Sequence, residues 1–269
     1  MSNEPGTWPS GLMSTRSGHG EPMLFIHGIG HRRQMWNPVT PGLSSDFEVL
    51  TVDLPGFGES PGLPPSESPT VSTLADKVEA ELDARGWQTA HLVGNSLGAW
   101  ICLELARRGR ARSVCALMPA GLWRTSRGIA TLRNKALFAI WSAGAKIPLS
   151  DRIVKNRYVR TLALFGLFGR PWRIPCDEAS ADARNLRHCD FSRTMSAIDN
   201  QSFEGGSSIV VPVTVVIGGR DPLIRRGETD LGKVPPQTKV VVHRHLGHVP
   251  TWDDPELVQL IVREAACAG

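Results

Sequence analysis

Short apolar runs that end in glycine turns alternate, along the first half of the chain, with stretches whose apolar positions recur at helical spacing. The run Met23 to His27 ends in Gly28-Ile29-Gly30, and Phe47 to Val52 runs into Asp53-Leu54-Pro55-Gly56-Phe57-Gly58. Both predict buried strands. Between them Arg33 to Leu43 reads as a short helix, and Val71 to Arg85 as a longer one with Thr70 or Ser72 near its cap. The pattern continues with a strand at His91 to Val93, a helix from Leu97 to Arg108 and a strand at Val114 to Met118. Such alternation implies a parallel sheet with helices on both faces.

After Met118 the alternation stops. From Pro119 to about Gly206 the text is helical, basic and broken by Pro and Gly, as an insertion would be. A β-branched strand, Val211 to Ile217, then resumes the pattern, followed by Lys239 to His243 and a terminal helix from Pro255 to Ala266. That helix has Asp254 as its cap and Pro255 at its first position. The expected organisation is a core domain of residues 1–118 and 207–269 with a helical cap subdomain of residues 119–206. A chain of 269 residues can bury a core of that size.

Composition changes this picture only by exclusion. No apolar run approaches the roughly 20 residues that cross a bilayer. Met1 to Gly20 is rich in Gly, Ser and Pro and has neither the basic start nor the apolar centre of a signal peptide, so a cytoplasmic protein is expected. Cys102, Cys115, Cys176, Cys189 and Cys267 are scattered and match no paired or metal-ligand spacing, which reads as free thiols. With phosphate-cradling and metal-ligand motifs also absent, no metal, nucleotide or flavin cofactor and no nucleic-acid partner is expected. The net charge of +4 is modest but uneven, because between Arg124 and Arg173 the single acid is Asp151. That excess either steers an anionic substrate or a membrane surface, or simply solvates helix faces.

The chemistry lies at the strand ends. Gly94-Asn95-Ser96-Leu97-Gly98 sits where a strand runs directly into a helix, a tight turn that needs small residues around a projecting serine. A second match, Gly58-Glu59-Ser60-Pro61-Gly62, has Pro after its serine and no helix behind it, so Ser60 is expected in a loop. A serine hydroxyl needs a histidine to take its proton and a carboxylate to orient that histidine. Asp221 follows the strand ending near Ile217 through Gly218-Gly219-Arg220, and His248 follows the next strand within Leu246-Gly247-His248-Val249-Pro250. His243 and His245 compete as bases, and Asp199 and Glu204 are weaker acids; His91 and His188 read as structural or surface residues. The backbone amides of Ile29 and Leu97 are candidate oxyanion donors, with Gly28 allowing close approach. His31, Asn95, Trp123 and Trp141 are further candidates for lining the substrate pocket, as are the apolar stripes at Leu132, Ala136, Leu137 and Ile140 and at Leu162 to Phe168.

Five ordered motifs, HGIG from His27, DLPGFGES from Asp53, VGNSLG from Val93, GGRDP from Gly218 and GHVPTWDDP from Gly247, resemble the α/β-hydrolase superfamily over nearly the whole chain outside the insert. The resemblance implies a mostly parallel central sheet flanked by helices, with a helical cap inserted after the strand ending at Met118. It leaves only a short segment ahead of Met23 for the family's first two strands. Haloalkane dehalogenases and epoxide hydrolases of this fold use an aspartate where Ser96 stands, so their alkyl-enzyme chemistry is not expected. Asn95 and Met118-Pro119-Ala120-Gly121-Leu122-Trp123 are similar to carbon-carbon bond hydrolases, and also to plain esterases. The expected function is therefore a carboxylesterase-like serine hydrolase acting on a small molecule with an apolar acyl part. The alternatives are a carbon-carbon hydrolase, a thioesterase or lactone-handling enzyme with the same triad, and a non-catalytic binding protein on the same fold.

Overall fold

The computed structural model describes residues 6–7, 11–124, 128–147 and 149–268. Its centre is an eight-stranded sheet: β1 (Gly6–Thr7), β2 (Met13–Gly18), β3 (Glu21–Ile26), β4 (Phe47–Val52), β5 (Ala90–Asn95), β6 (Ala111–Leu117), β7 (Val213–Gly218) and β8 (Lys239–His243). The strands lie in the order β1-β2-β4-β3-β5-β6-β7-β8. From β4 to β8 all neighbours are parallel, while β2 runs antiparallel to β4 and β1 to β2. Short as it is, the segment ahead of Met23 thus supplies two strands.

Alternate residues of a strand face opposite sides of a sheet, and both sides here are buried. Leu24 and Ile26 of β3 join one apolar cluster, with Leu74, Val78 and Leu82 of helix α1 (Val71–Ala84) and Leu103 and Leu105 of α2 (Leu97–Arg107). Met23 and Phe25 join the other, with Trp36 and with Val258, Ile261 and Val262 of the C-terminal helix Pro255–Ala266. Thr70 caps α1 through its side chain, accepting from the Thr73 amide at 3.1 Å, and Asp254 caps the C-terminal helix from the Leu257 amide at 3.2 Å.

Three expectations are corrected. Arg33 to Leu43 forms two single 3-10 turns, Arg33–Trp36 and Thr40–Gly42, because Pro38 and Pro41 lack the amide hydrogens a continuous helix needs. β6 begins at Ala111, three residues before the apolar run, since Ala111 and Ser113 pair with β5 on either side of a bulge at Arg112 without looking like strand residues. β7 starts at Val213 because Pro212 has no amide hydrogen to donate.

Between β6 and β7 the described residues form α3 (Gly128–Lys146), α4 (Ser150–Ile153), α5 (Arg157–Ala163), α6 (Cys176–His188) and α7 (Phe191–Ile198); the C-terminal helix is α8. Polar contacts hold this insert to the sheet: Arg32 pairs with Asp182 of α6 at 2.9 Å, Arg133 of α3 with Glu228 at 2.7 Å, and the Asn185 amide donates to the Gly30 carbonyl at 2.9 Å.

Candidate active site

Ser96 sits between β5 and α2 with φ 54 and ψ −113, one of three non-glycine residues with positive φ among those described. Such a conformation costs of order 1–3 kcal/mol and persists only where the surroundings hold it. They do: its amide donates to the Leu117 carbonyl at 3.0 Å, and its carbonyl accepts from Trp100 and Ala120 at 3.2 and 3.1 Å. A Cβ at Gly94 would collide with the backbone of Gly98, and one at Gly98 with the carbonyls of Ile26 and His27. The rival Ser60 is engaged elsewhere: its hydroxyl donates to the Asp53 carbonyl at 2.7 Å and accepts from the Met13 amide at 2.8 Å.

His248 Nδ1 lies 2.8 Å from Asp221 Oδ2, and both side chains are buried. The other carboxylate oxygen, Oδ1, accepts the Leu223 and Ile224 amides at 2.7 and 3.0 Å. With a carboxylate able only to accept, Nδ1 is the protonated nitrogen and Nε2 is left as the basic one. The competitors lie elsewhere: His245 pairs with Asp254 at 3.1 Å, Asp199 with Lys135 at 2.7 Å, and Glu204 with Lys233. His91 bonds Ser113 at 2.9 Å and Glu21 at 3.1 Å.

Ser96 and His248 open onto one cleft of about 870 Å³ together with Ile29 and Leu97. The Leu97 amide, at the first position of α2, belongs to the turn of helix that has no intrahelical acceptor. A Cβ on Gly28 would sit 3.2 Å from the Ser96 Cβ, so glycine there brings the Ile29 loop against the elbow. Apolar walls come from Leu122, Trp123, Phe138, Met195 and Ile198, and the Lys135–Asp199 pair borders them. Trp123 is further fixed by its ring nitrogen, which donates to the Gln201 carbonyl at 3.0 Å.

Several of the pocket candidates are placed differently from expectation, and neither apolar stripe of the insert lines the cleft: Leu162 and Phe165 border an outer groove, while Ile140, Leu164, Leu167 and Phe168 line a separate space. Asn95 does not line the cleft: its amide nitrogen donates to the carbonyls of His248 at 2.8 Å and Leu117 at 3.2 Å, so it clamps the histidine loop from behind. His31 and Trp141 line a second, mainly apolar pocket of about 1030 Å³ between the insert and the Gly30-His31 loop. The contact between Phe138 and Trp141, centroids 5.8 Å apart, stands between the two spaces. Burial lowers the His31 pKa against the opposing pull of Asp182. His27 is pushed down to about 4 by burial, and its Nε2 accepts the Leu54 amide at 3.0 Å.

One residue went unnoticed in the sequence. Asp253 is fully buried and accepts three amides, from Gly169 at 2.8 Å, Arg170 at 2.7 Å and Gly247 at 2.8 Å, while burial raises its pKa. It joins the insert to the loop that carries His248. A doubled acid just before a helix start, Asp253-Asp254, was the available signal, and only its second member reads as a cap. No helix among the described residues is long and apolar enough to cross a membrane, and no group of three or more His, Cys, Asp or Glu among them could hold a metal ion.

The profile of the Alpha/beta hydrolase family matches residues 23–259. Epoxide hydrolase EphH of Mycobacterium tuberculosis is 32% identical over 209 residues, covering 72% of this chain and 95% of the relative. Pimeloyl-[acyl-carrier protein] methyl ester esterase of Neisseria meningitidis is 28% identical over 235 residues, 83% of this chain and 80% of that protein. Among solved structures, a bacterial membrane phospholipase A superposes with a TM-score of 0.78 over 98% of this chain and 84% of its own; at 22% identity it speaks for the fold alone.

Proposed function

The chain belongs to the alpha/beta hydrolase family, and from that premise we propose that it is a serine hydrolase that cleaves an ester-type acyl bond through an acyl-enzyme. In this reading the Ser96 oxygen attacks the substrate carbonyl carbon while His248 Nε2 takes its proton. The amides of Ile29 and Leu97 hold the oxyanion, and His248 hands the proton to the departing alcohol. Water then attacks the acyl carbon, again losing a proton to His248, and Ser96 is regenerated. Asp221 keeps Nδ1 protonated and stabilises the imidazolium. The observation that carries the reading is the 2.8 Å contact of His248 with Asp221, on a histidine that shares one cleft with the strained Ser96.

Kinship with an epoxide hydrolase leaves the bond type to be argued from the nucleophile. An alkyl-enzyme made on a carboxylate is an ester and can be hydrolysed, whereas attack by a serine on an epoxide carbon would leave an ether that water does not cleave. Ser96 therefore favours carbonyl substrates. In the same proposal the helical segment 119–206 acts as a cap over the cleft, whose apolar walls select the acyl part of a small-molecule substrate. The exposed thiols of Cys176 and Cys267 fit a reducing compartment such as the cytoplasm.

Hydrolysis of a chain-length series of p-nitrophenyl esters by the wild type and by Ser96→Ala tests the assignment. Turnover should vanish with the serine, and a fluorophosphonate should label the wild type at Ser96 alone. Undiminished turnover in Ser96→Ala would sink it. A labelled wild type with no turnover on any ester would shift the reading to a carbon-carbon hydrolase, a narrow pathway enzyme or a binding protein.

A further inference from the structure

Large apolar side chains are not exposed evenly over this protein. Of the thirteen large hydrophobic residues exposed among those described, ten fall between Leu132 and Trp172, within the insert. On α5, Tyr158 and Leu162 stand four residues apart on one helix face at 84% and 81% exposure, and Phe165 just beyond is at 76%. Together with Trp172 they line one groove, beside Arg157. The other side of α5 turns Val159 toward the cavity that also takes Ile140, Ile147 and Ile153. The two apolar grooves thus flank a single helix.

The charges interleaved with this surface have one sign. Lys146, Arg152 and Arg157 are exposed beside Ile147, Ile153 and Tyr158 and have no carboxylate partner among the described residues. Lys155 reaches only the exposed Asp177, at 3.5 Å, and Asp151 faces Arg184 and Arg187 at 3.6 and 3.4 Å. A second copy of the chain would set these cations against their own kind. A surface with apolar chains below and anionic headgroups above meets both features at once.

We propose that the face of the insert built on α5, with Tyr158, Leu162, Phe165 and Trp172 as its apolar contacts and Lys146, Arg152 and Arg157 as its charges, docks the protein reversibly on anionic lipid bilayers. No helix among the described residues is long and apolar enough to span the bilayer; the contact is peripheral and involves neither Ser96 nor the cleft.

The test is co-sedimentation of the full chain with phosphatidylcholine vesicles with and without phosphatidylglycerol, across a salt titration. Binding should require phosphatidylglycerol and weaken as salt rises. Each cation contributes about 1 kcal/mol, or roughly fivefold, so R152Q/R157Q should bind the anionic vesicles about 25-fold more weakly. L162E/F165E should abolish binding while turning over a short soluble ester like the wild type, which separates lost docking from lost folding. Ser96→Ala should bind like the wild type, so the docking stands or falls apart from the acyl chemistry. Wild-type indifference to the vesicles, or binding by R152Q/R157Q or L162E/F165E as strong as that of the wild type, would overturn the proposal. So would a dimer in sedimentation velocity that L162E/F165E dissolves, since the face would then belong to a second copy.

Discussion

Replacing Asp221 by Asn should remove most turnover while leaving the fold intact, and the size of the loss follows from the hydrogen bonds around the carboxylate. Oδ1 accepts two buried backbone amides, from Leu223 and Ile224, and Oδ2 faces His248 Nδ1. An asparagine has one acceptor oxygen, and the two amides claim it. Its NH2 then faces Nδ1, which has to become an acceptor, so the imidazole proton moves to Nε2 and the base is gone. Turning the amide over would restore the tautomer but set a donor against two donors, at about 1–3 kcal/mol for each unsatisfied group. The active orientation is thus held to a few per cent at most. The loss in kcat lies between about thirtyfold and the roughly 10⁴-fold expected when the wrong tautomer is fixed throughout. KM should hardly move, because Asp221 does not line the cleft. Steady-state kinetics on a p-nitrophenyl ester, paired with urea unfolding, reads both quantities. Asp221→Ala serves as the contrast, since it leaves two amides without an acceptor and should also lower stability. An Asn variant with wild-type stability and activity within about threefold of wild type would refute the tautomer argument.

Stability should fall in mild acid because of His27. A histidine whose folded pKa lies below its unfolded value contributes stability that is complete above the unfolded pKa and is lost as pH falls toward the folded one. The interval from 6.5 to about 4 corresponds to about 3 kcal/mol at 1.36 kcal/mol per pKa unit, and His31 acts in the same direction. Urea midpoints at stepped pH should show that decline in the wild type and a flatter one in His27→Gln; parallel curves would contradict it. Gly98→Ala puts a methyl group into the carbonyls of Ile26 and His27 and should cost a few kcal/mol along with activity, measured by thermal unfolding and ester turnover. Asn95→Ala unclamps the His248 loop and should lower kcat with little change in KM, so a rise in KM alone would argue for a pocket role instead.

Legibility in the sequence followed the physics of each element. Strands buried on both faces announce themselves as continuous apolar runs, and β4 was readable to the residue for that reason; β8, a half-exposed edge strand, was readable from its run of three valines. β2, with Thr15, Arg16 and Ser17 near one edge of the sheet, has no such run, and it becomes a strand by pairing with β4. The elbow was readable because steric demand leaves a spacing of glycines. Asn95 was misjudged for a related reason: adjacency to Ser96 places it in the strand, where successive side chains face opposite ways. Trp141 and His31 carry no local sign of which of two neighbouring cavities they enter, since that depends on how the insert folds back over the sheet.

The separation of those two cavities bears on how the insert and the chemistry are coupled. Asp253 accepts amides from Gly169 and Arg170 on the insert side and from Gly247, next to His248, on the other. Asn95 meanwhile ties the His248 carbonyl to the strand that presents Ser96. The histidine is therefore held between one anchor in the rigid sheet and one in the insert. The elbow is held separately, by Leu117, Trp100 and Ala120 around Ser96 and by the close approach of Ile26 and His27 to Gly98, so outward movement of the segment around Gly169 would pull first on the Asp253 junction.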